Sequence, residues 1–189
     1  MSTKQIAIFA SGSGTNAQHI IEYFSENEHV RVRCLLSNSP KAYALVRADN
    51  LGVETKVFSK DDLNNSSVVL DYLLERDIDL IVLAGFLWLV PAKLVDRFTV
   101  VNIHPALLPE YGGKNMYGHY VHEAVIKNGD KFSGITIHYV NEKYDEGTII
   151  FQDTCEVKPD DTPDTLAERI HQLEYQHYPR IIEQVISQL

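Results

Sequence analysis

The sequence predicts an α/β fold: a mostly parallel, twisted sheet with flanking helices and a C-terminal antiparallel addition. Three observations predict it. Short apolar runs alternate with stretches of helical periodicity, the signature of βαβ units. Asp79 to Ala84 (DLIVLA) is strongly apolar, as a central strand covered on both faces must be. Gly134 to Val140 then switches to clean alternation, a different kind of strand near the C-terminus.

The elements follow in order. Gln5 to Ala10 (QIAIFA) is a buried strand ending in the turn Ser11 to Gly14. Thr15 is placed to cap a helix to about Glu26, with Ile20, Ile21 and Phe24 on its apolar face. Val30 to Leu36 is a second strand, and a helix from about Lys41 to Leu51 stops at Gly52. Val53 to Phe58 is the third strand, followed by one helix over about Leu63 to Arg76. Asp79 to Ala84 is the fourth strand, ended by Gly85, and Pro91 opens a short helix to Phe98. Thr99 to His104 is the fifth.

Pro105 to Gly118 is a loop carrying five glycines and prolines (Pro105, Pro109, Gly112, Gly113, Gly118). Loops beyond about 12 residues are usually functional or disordered. A helix at about His119 to Lys127 and strands Gly134–Val140 and Thr148–Val157 follow, the strands joined by the acidic loop Asn141 to Gly147. Thr162-Pro163 opens a C-terminal helix that Pro179 is expected to kink.

The 189 residues hold 17 Lys+Arg against 26 Asp+Glu, a formal charge of −9 with histidine neutral. That sign argues against a nucleic-acid or anionic-membrane binder working through its overall field. A small anionic ligand stays allowed, because a phosphate needs only a few well-aimed N–H groups. One domain over residues 1–189 is expected, large enough for a full core. Cys34 and Cys155 both fall in strands and are expected to be buried free thiols. The run Ile78 to Pro91 is too short to cross a bilayer, and Met1-Ser-Thr-Lys-Gln-Ile lacks the apolar core of a secretory signal. A cytoplasmic protein is the expectation.

In open α/β sheets ligands bind beyond the carboxyl ends of the strands, where the unusual residues of this chain gather. Gly12, Ser13, Gly14, Thr15 and Asn16 lie between a strand and a helix, so backbone N–H groups and the helix terminus can cradle an anion. The letters also fit the dinucleotide fingerprint, but strand two ends in Leu36-Ser37-Asn38 without the acidic residue that binds a ribose. No Gly-Lys-Ser/Thr follows, which excludes a Walker A loop. A phosphomonoester site is the preferred reading over a tight turn chosen for sterics alone.

Asn102 and His104 share one strand face, and Pro105 holds His104 extended. An amide donor beside an imidazole suits a reaction that creates an oxyanion and moves a proton. Taken alone, a satisfied polar pair at a strand end explains them equally well. Thr136 and His138 also share a face, and the next loop offers Glu142, Asp145 and Glu146. A carboxylate near His104 would orient it and favour imidazolium; spacing does not say which one. His119 and His122, three apart on a helix, are the best metal pair, but no third ligand has suitable spacing. No metal is expected.

Asn102-Ile103-His104-Pro105-Ala106-Leu107-Leu108-Pro109 resembles the Asn-x-His-Pro-Ser-Leu-Leu-Pro signature of folate-dependent formyltransferases. Asp145-Glu146-Gly147-Thr148-Ile149-Ile150 resembles their Asp-x-Gly-x-Ile-Ile element. Together with the N-terminal Ser-Gly-x-Gly-Thr-Asn loop they are similar to the phosphoribosylglycinamide formyltransferase branch, over Ile6 to about Pro179.

The resemblance implies a Rossmann-like fold and transfer of the formyl group of 10-formyltetrahydrofolate to the amine of glycinamide ribonucleotide in de novo purine synthesis. It implies Asn102 on the formyl oxygen, His104 as cation or acid, and Asp145 orienting His104 and assisting a proton-carrying water. Gly12 to Asn16 and Glu174 would hold the ribonucleotide. Phe86, Leu87, Trp88, Leu89, Val90, Val140 and Asn141 would line the folate pocket, with Thr136 and His138 in support. The N-terminal half would thus carry the phosphate site and the C-terminal half the folate and catalytic site. Ala106 stands where Ser is common, and the loop from Tyr111 to Gly118 is longer than in many members.

Small-molecule substrates, and neither nucleic acid nor membrane, are the expected partners; monomer and homodimer both stay open. Competing readings are a formyltetrahydrofolate deformylase, which usually carries an extra regulatory domain, and methionyl-tRNA formyltransferase, which needs a basic RNA-binding domain. A non-catalytic phosphate-ligand sensor would have no need of Asn102, His104 and Asp145 together.

Overall fold

The computed structural model describes residues 3–189; Met1 and Ser2, where the N-terminal segment read above begins, lie outside the described residues. Seven strands form one sheet: β1 (Lys4–Phe9), β2 (Val30–Ser37), β3 (Glu54–Val57), β4 (Leu80–Leu83), β5 (Thr99–His104), β6 (Phe132–Tyr139) and β7 (Ile149–Glu156). Their order is β3-β2-β1-β4-β5-β6-β7. The first five are parallel, while β6 and β7 pair antiparallel, as the switch in periodicity predicts.

Alternation along β1 sends Ile6 and Ile8 into one apolar layer and Ala7 and Phe9 into the other. The first layer is covered by α1 (Thr15–Phe24), α2 (Tyr43–Asn50), α6 (His119–Asn128) and the long α7 (Pro163–Ile186). The second is covered by α3 (Lys60–Asn64), α4 (Val68–Leu74) and α5 (Ala92–Val95). Each fully buried Ile or Leu in these layers contributes roughly 1.5–3 kcal/mol of transfer free energy. Among the described residues no helix is long and apolar enough to cross a membrane.

Two details differ from the sequence reading. The single helix expected over Leu63 to Arg76 is two, α3 and α4, because Ser59 and Asp62 cap α3 reciprocally and Asn65-Ser66-Ser67 interrupts it. The Ser66 hydroxyl donates to the Asp62 carbonyl and accepts from the Val68 N–H, offering the backbone alternative partners. Cys34 is buried, with its thiol pushed up to about 12 chiefly by burial, but Cys155 on β7 is only half-buried. Helix α7 continues through Pro179 to Ile186 and starts at a Thr162 cap that accepts from the Thr165 N–H.

Candidate active site

The strand order reverses between β1 and β4, and their carboxyl ends open a crevice there. Two loops meet in it. The Ser11 N–H donates to the Gly85 carbonyl at 3.0 Å, and the Ser11 hydroxyl accepts from the Leu87 N–H at 3.0 Å.

The two glycines of the first loop have different jobs. Gly14 sits at φ +76°, and a Cβ there would fall 2.5 Å from the Ala44 Cα. Helix α2 packs against it, with the Ala44 N–H donating to the Gly12 carbonyl. Gly12 is exposed and a Cβ on it would meet nothing within 4 Å, so this is the point open to a ligand. Thr15 does not cap α1 as expected: it is the first helical residue, the cap position is Gly14, and no side chain caps the helix. The first-turn N–H groups are therefore left for an anion. Arg47 braces the loop from α2, its Nε donating to the Ser13 carbonyl.

Asn16 reaches across to α7, donating through Nδ2 to the Glu174 carboxylate at 2.8 Å. Glu174 is 5% exposed. Burial pushes its carboxyl up to about 7, against the stabilising amide of Asn16.

The second cluster forms where β5 meets the antiparallel β6, whose register sets Asn102 opposite His138 and His104 opposite Thr136. His138 Nδ1 lies 2.8 Å from the Tyr139 carbonyl, which fixes the proton on that nitrogen. Its Nε2 is then a bare acceptor for the Asn102 amide, 3.1 Å away. One N–H of Asn102 is so engaged, and the other makes a long contact of 3.5 Å to Asp145 Oδ1.

Asp145 itself adopts φ +56°, a left-handed conformation uncommon outside glycine and strained unless the surroundings impose it. Gly147, two residues on, packs against the Tyr139 carbonyl oxygen, where a Cβ would fall 1.6 Å away. The Gly113 N–H donates to Asp145 Oδ2 at 2.9 Å. His104 Nδ1 and His138 Nε2 each stand 3.6 Å from its carboxylate, too far for good hydrogen bonds. Burial pushes the Asp145 carboxyl up, and the imidazoles with the Gly113 N–H outweigh it, holding the group below the ordinary carboxylate range.

Two features set the state of His104. Its Nε2–H donates to the Tyr111 carbonyl at 2.7 Å, so that carbonyl, more than Asp145, orients the ring. Burial lowers its pKa and outweighs the attraction of Asp145, so the neutral imidazole, rather than imidazolium, is favoured at rest. Thr136 is buried behind the cluster, donating to the Ala106 carbonyl and accepting from the Leu108 N–H. It fixes the chain leaving His104.

Both clusters open into one cavity of about 410 Å³. Its far side is apolar, formed by Phe86 to Val90 together with Val140. Phe86 and Trp88 meet edge to face at 6.4 Å and rest on Phe58. Asn141 is not brought to the cavity: it is exposed, and its side chain closes a turn by accepting from the Lys143 N–H. His119 and His122 do not converge. His119 is exposed beside Glu123, whereas His122 is buried and faces the cavity.

Sequence reasoning missed Tyr111 and Gly113, which act through backbone atoms and so leave no side-chain signal. It also missed the lining residues Lys114 to Gly118, although the length of that loop pointed to function.

A family model described as formyl transferase matches residues 4–182. The chain belongs to that family. Among curated relatives of this formyl transferase, a chloroplastic phosphoribosylglycinamide formyltransferase of Arabidopsis thaliana is 39% identical over 95% of the chain and 64% of the relative. The chain therefore spans just under two thirds of that protein. It spans 86% of the phosphoribosylglycinamide formyltransferase of Haemophilus influenzae, at 37% identity over 95% of the chain. The crystal structure of glycinamide ribonucleotide transformylase 1 from Symbiobacterium toebii superposes with a TM-score of 0.88 at 31% identity, covering 98% of this chain and 88% of that one.

Proposed function

We propose that this formyl transferase moves the formyl group of 10-formyltetrahydrofolate onto the amine of glycinamide ribonucleotide, a step of de novo purine biosynthesis. The observation that carries the reading is the single cavity joining an uncapped helix terminus, an Asn–His–Asp corner and an aromatic recess. The names of the relatives support the same acceptor. A ribonucleotide phosphate fits the N–H groups at Gly12 to Asn16, with Glu174 and Asn16 beside its ribose. The pterin of the donor fits the recess at Phe86–Val90 and Val140.

The amine nitrogen attacks the formyl carbon, and the carbonyl oxygen becomes an oxyanion. The second N–H of Asn102, held only by the long contact to Asp145 and aimed by His138, turns to donate to it. His104 is neutral at rest; as a negative oxygen forms beside it, Nδ1 takes a proton from solvent, placing a cation where charge develops, and gives it back to solvent when the intermediate collapses. Asp145 positions a water that takes the proton from the attacking nitrogen and passes it to the departing folate nitrogen, so the tetrahedral intermediate collapses to formyl product and tetrahydrofolate.

The test is a formyl-transfer assay with and without glycinamide ribonucleotide. Folate turnover that depends on the ribonucleotide supports the reading. Turnover without it favours a deformylase, and none in either case removes the catalytic assignment.

A further inference from the structure

Of the buried polar residues in the cavity wall, His122 is the one that the reaction above leaves unused. It sits on the inner face of α6 between Val121 and Val125, 2% exposed, where an apolar side chain would pack at no desolvation penalty. Its Nδ1 is enclosed and meets no hydrogen-bond partner among the described residues. Its titratable neighbours are His171, His119 and His104. His171 lies one helical turn before Glu174 on α7, so His122 stands between the transfer corner and the ribonucleotide end of the cavity.

Two tautomers of the ring are available. A proton on the enclosed Nδ1 would be a buried donor with nothing to receive it, which costs roughly 1–3 kcal/mol. A bare lone pair there is cheaper, and it leaves the proton on Nε2, the nitrogen that remains to serve the cavity. Burial, reinforced by the neighbouring histidines, pulls the pKa down to about 4, so the ring stays neutral at physiological pH.

We infer that His122 is a ribonucleotide-binding residue, donating its Nε2–H to an acceptor oxygen between the phosphate and the reacting amine, either on the ribose or at the glycinamide carbonyl. This rests on the acceptor proposed above. The donor is neutral and fixed on a helix, so it aligns the acceptor without adding charge beside His104. The unpartnered Nδ1 is what selects the tautomer, leaving Nε2–H as the donor the ring can offer.

Titration calorimetry with glycinamide ribonucleotide on wild type, His122→Leu and His122→Gln tests it, with melting temperatures of the free proteins and titrations with the folate substrate alongside. His122→Leu is expected to weaken ribonucleotide binding about tenfold, the value of one hydrogen bond, while folate affinity holds. Its melting temperature is expected to match or exceed that of wild type, because the unpartnered nitrogen is gone. His122→Gln, which keeps an N–H donor, is expected to stay within about threefold of wild type.

Ribose 5-phosphate separates the two acceptor oxygens: an equal loss for both ligands assigns the ribose, and a loss confined to the glycinamide compound assigns its carbonyl. Undiminished ribonucleotide binding by His122→Leu overturns the inference. So does a lowered melting temperature with folate and ribonucleotide affinity falling together, which is the behaviour of a packing residue. Failure of the wild-type protein to bind the ribonucleotide would instead remove the proposed acceptor, and this inference with it.

Discussion

The proposed phosphate cup and the proposed transfer corner lie in the same cavity but are built on opposite principles. The cup belongs to the parallel half of the sheet and works through backbone N–H groups at a helix terminus, with side chains only bracing it from behind. The corner lies where the parallel sheet gives way to the antiparallel β6–β7 pair and works through side chains drawn from positions 102, 104, 138 and 145. Backbone dipoles hold a charge that is already present on the ligand. Side chains with shifted ionisation serve a charge that exists only during reaction. Binding and chemistry should therefore separate when either region is altered.

The largest separation is expected from Asp145→Asn. Asparagine tolerates the left-handed conformation at φ +56° better than most residues, so the loop should keep its shape. The charge that steers the proton is lost, and turnover should fall on the order of 10⁴-fold, as for a neutralised orienting carboxylate. Calorimetric affinity for the ribonucleotide should stay within a few-fold of wild type. If affinity falls along with turnover, cup and corner are not independent.

Asn102→Ala should lower kcat by roughly 10²–10³-fold, the loss expected for one oxyanion donor. The same substitution strips His138 Nε2 of its partner, so part of the loss is disorder of the corner. A rise confined to KM for either substrate would reassign Asn102 to binding.

The two regions also differed in how far the sequence disclosed them. The cup was legible because one short segment, Ser11 to Asn16, joins a strand to a helix and carries its own glycines. Even so, the reason for Gly14 lies in Ala44, thirty residues on, which no local pattern reveals. At the corner, alternation paired Asn102 with His104 and Thr136 with His138, but only the antiparallel register set the pairs against each other. Spacing left Glu142, Asp145 and Glu146 equivalent; the resemblance selected Asp145, and its left-handed backbone and bond from Gly113 now distinguish it. The ionisation of His104 could not be read from the sequence, because burial is a property of the whole fold. Loss of helix at residues 65–67 was written locally, in Asn65-Ser66-Ser67, but helical periodicity on either side outweighed it.

A buried and a partly buried carboxylate, Glu174 and Asp145, give the comparison a pH signature. Glu174, beside the cup, keeps its proton to about pH 7 when folded and loses it near the ordinary carboxylate range when unfolded. Between those values the folded state binds more protons, so stability should fall as pH rises from about 4.5 to 7 and level off above, by about 3 kcal/mol in all. Asp145 is held below the ordinary range, so its contribution is present above that range and is lost as pH falls through the folded value. The slopes have opposite signs. Urea midpoints at pH 5 and pH 8 should show that Glu174→Gln removes the decline that wild type displays. An unchanged decline would mean that Glu174 is ionised in the folded protein across this range.

The smallest effect tests what the two regions share. Tyr178 on α7 is fully buried, and its hydroxyl lies 2.9 Å from the Leu83 carbonyl and 3.2 Å from that of Val101. One proton is thus shared between the last residue of β4 and the residue before Asn102 on β5. β4 leads into the Gly85–Val90 recess and β5 into the corner, so this hydroxyl ties together the supports of both. Tyr178→Phe keeps the ring and removes the tie, and should cost about 1 kcal/mol of stability. Any change in KM should be small and of similar size for folate and ribonucleotide, since the shared footing shifts as a unit. A loss confined to one substrate would show that β4 and β5 support their sites separately, and the cavity would then have to be treated as two neighbouring pockets.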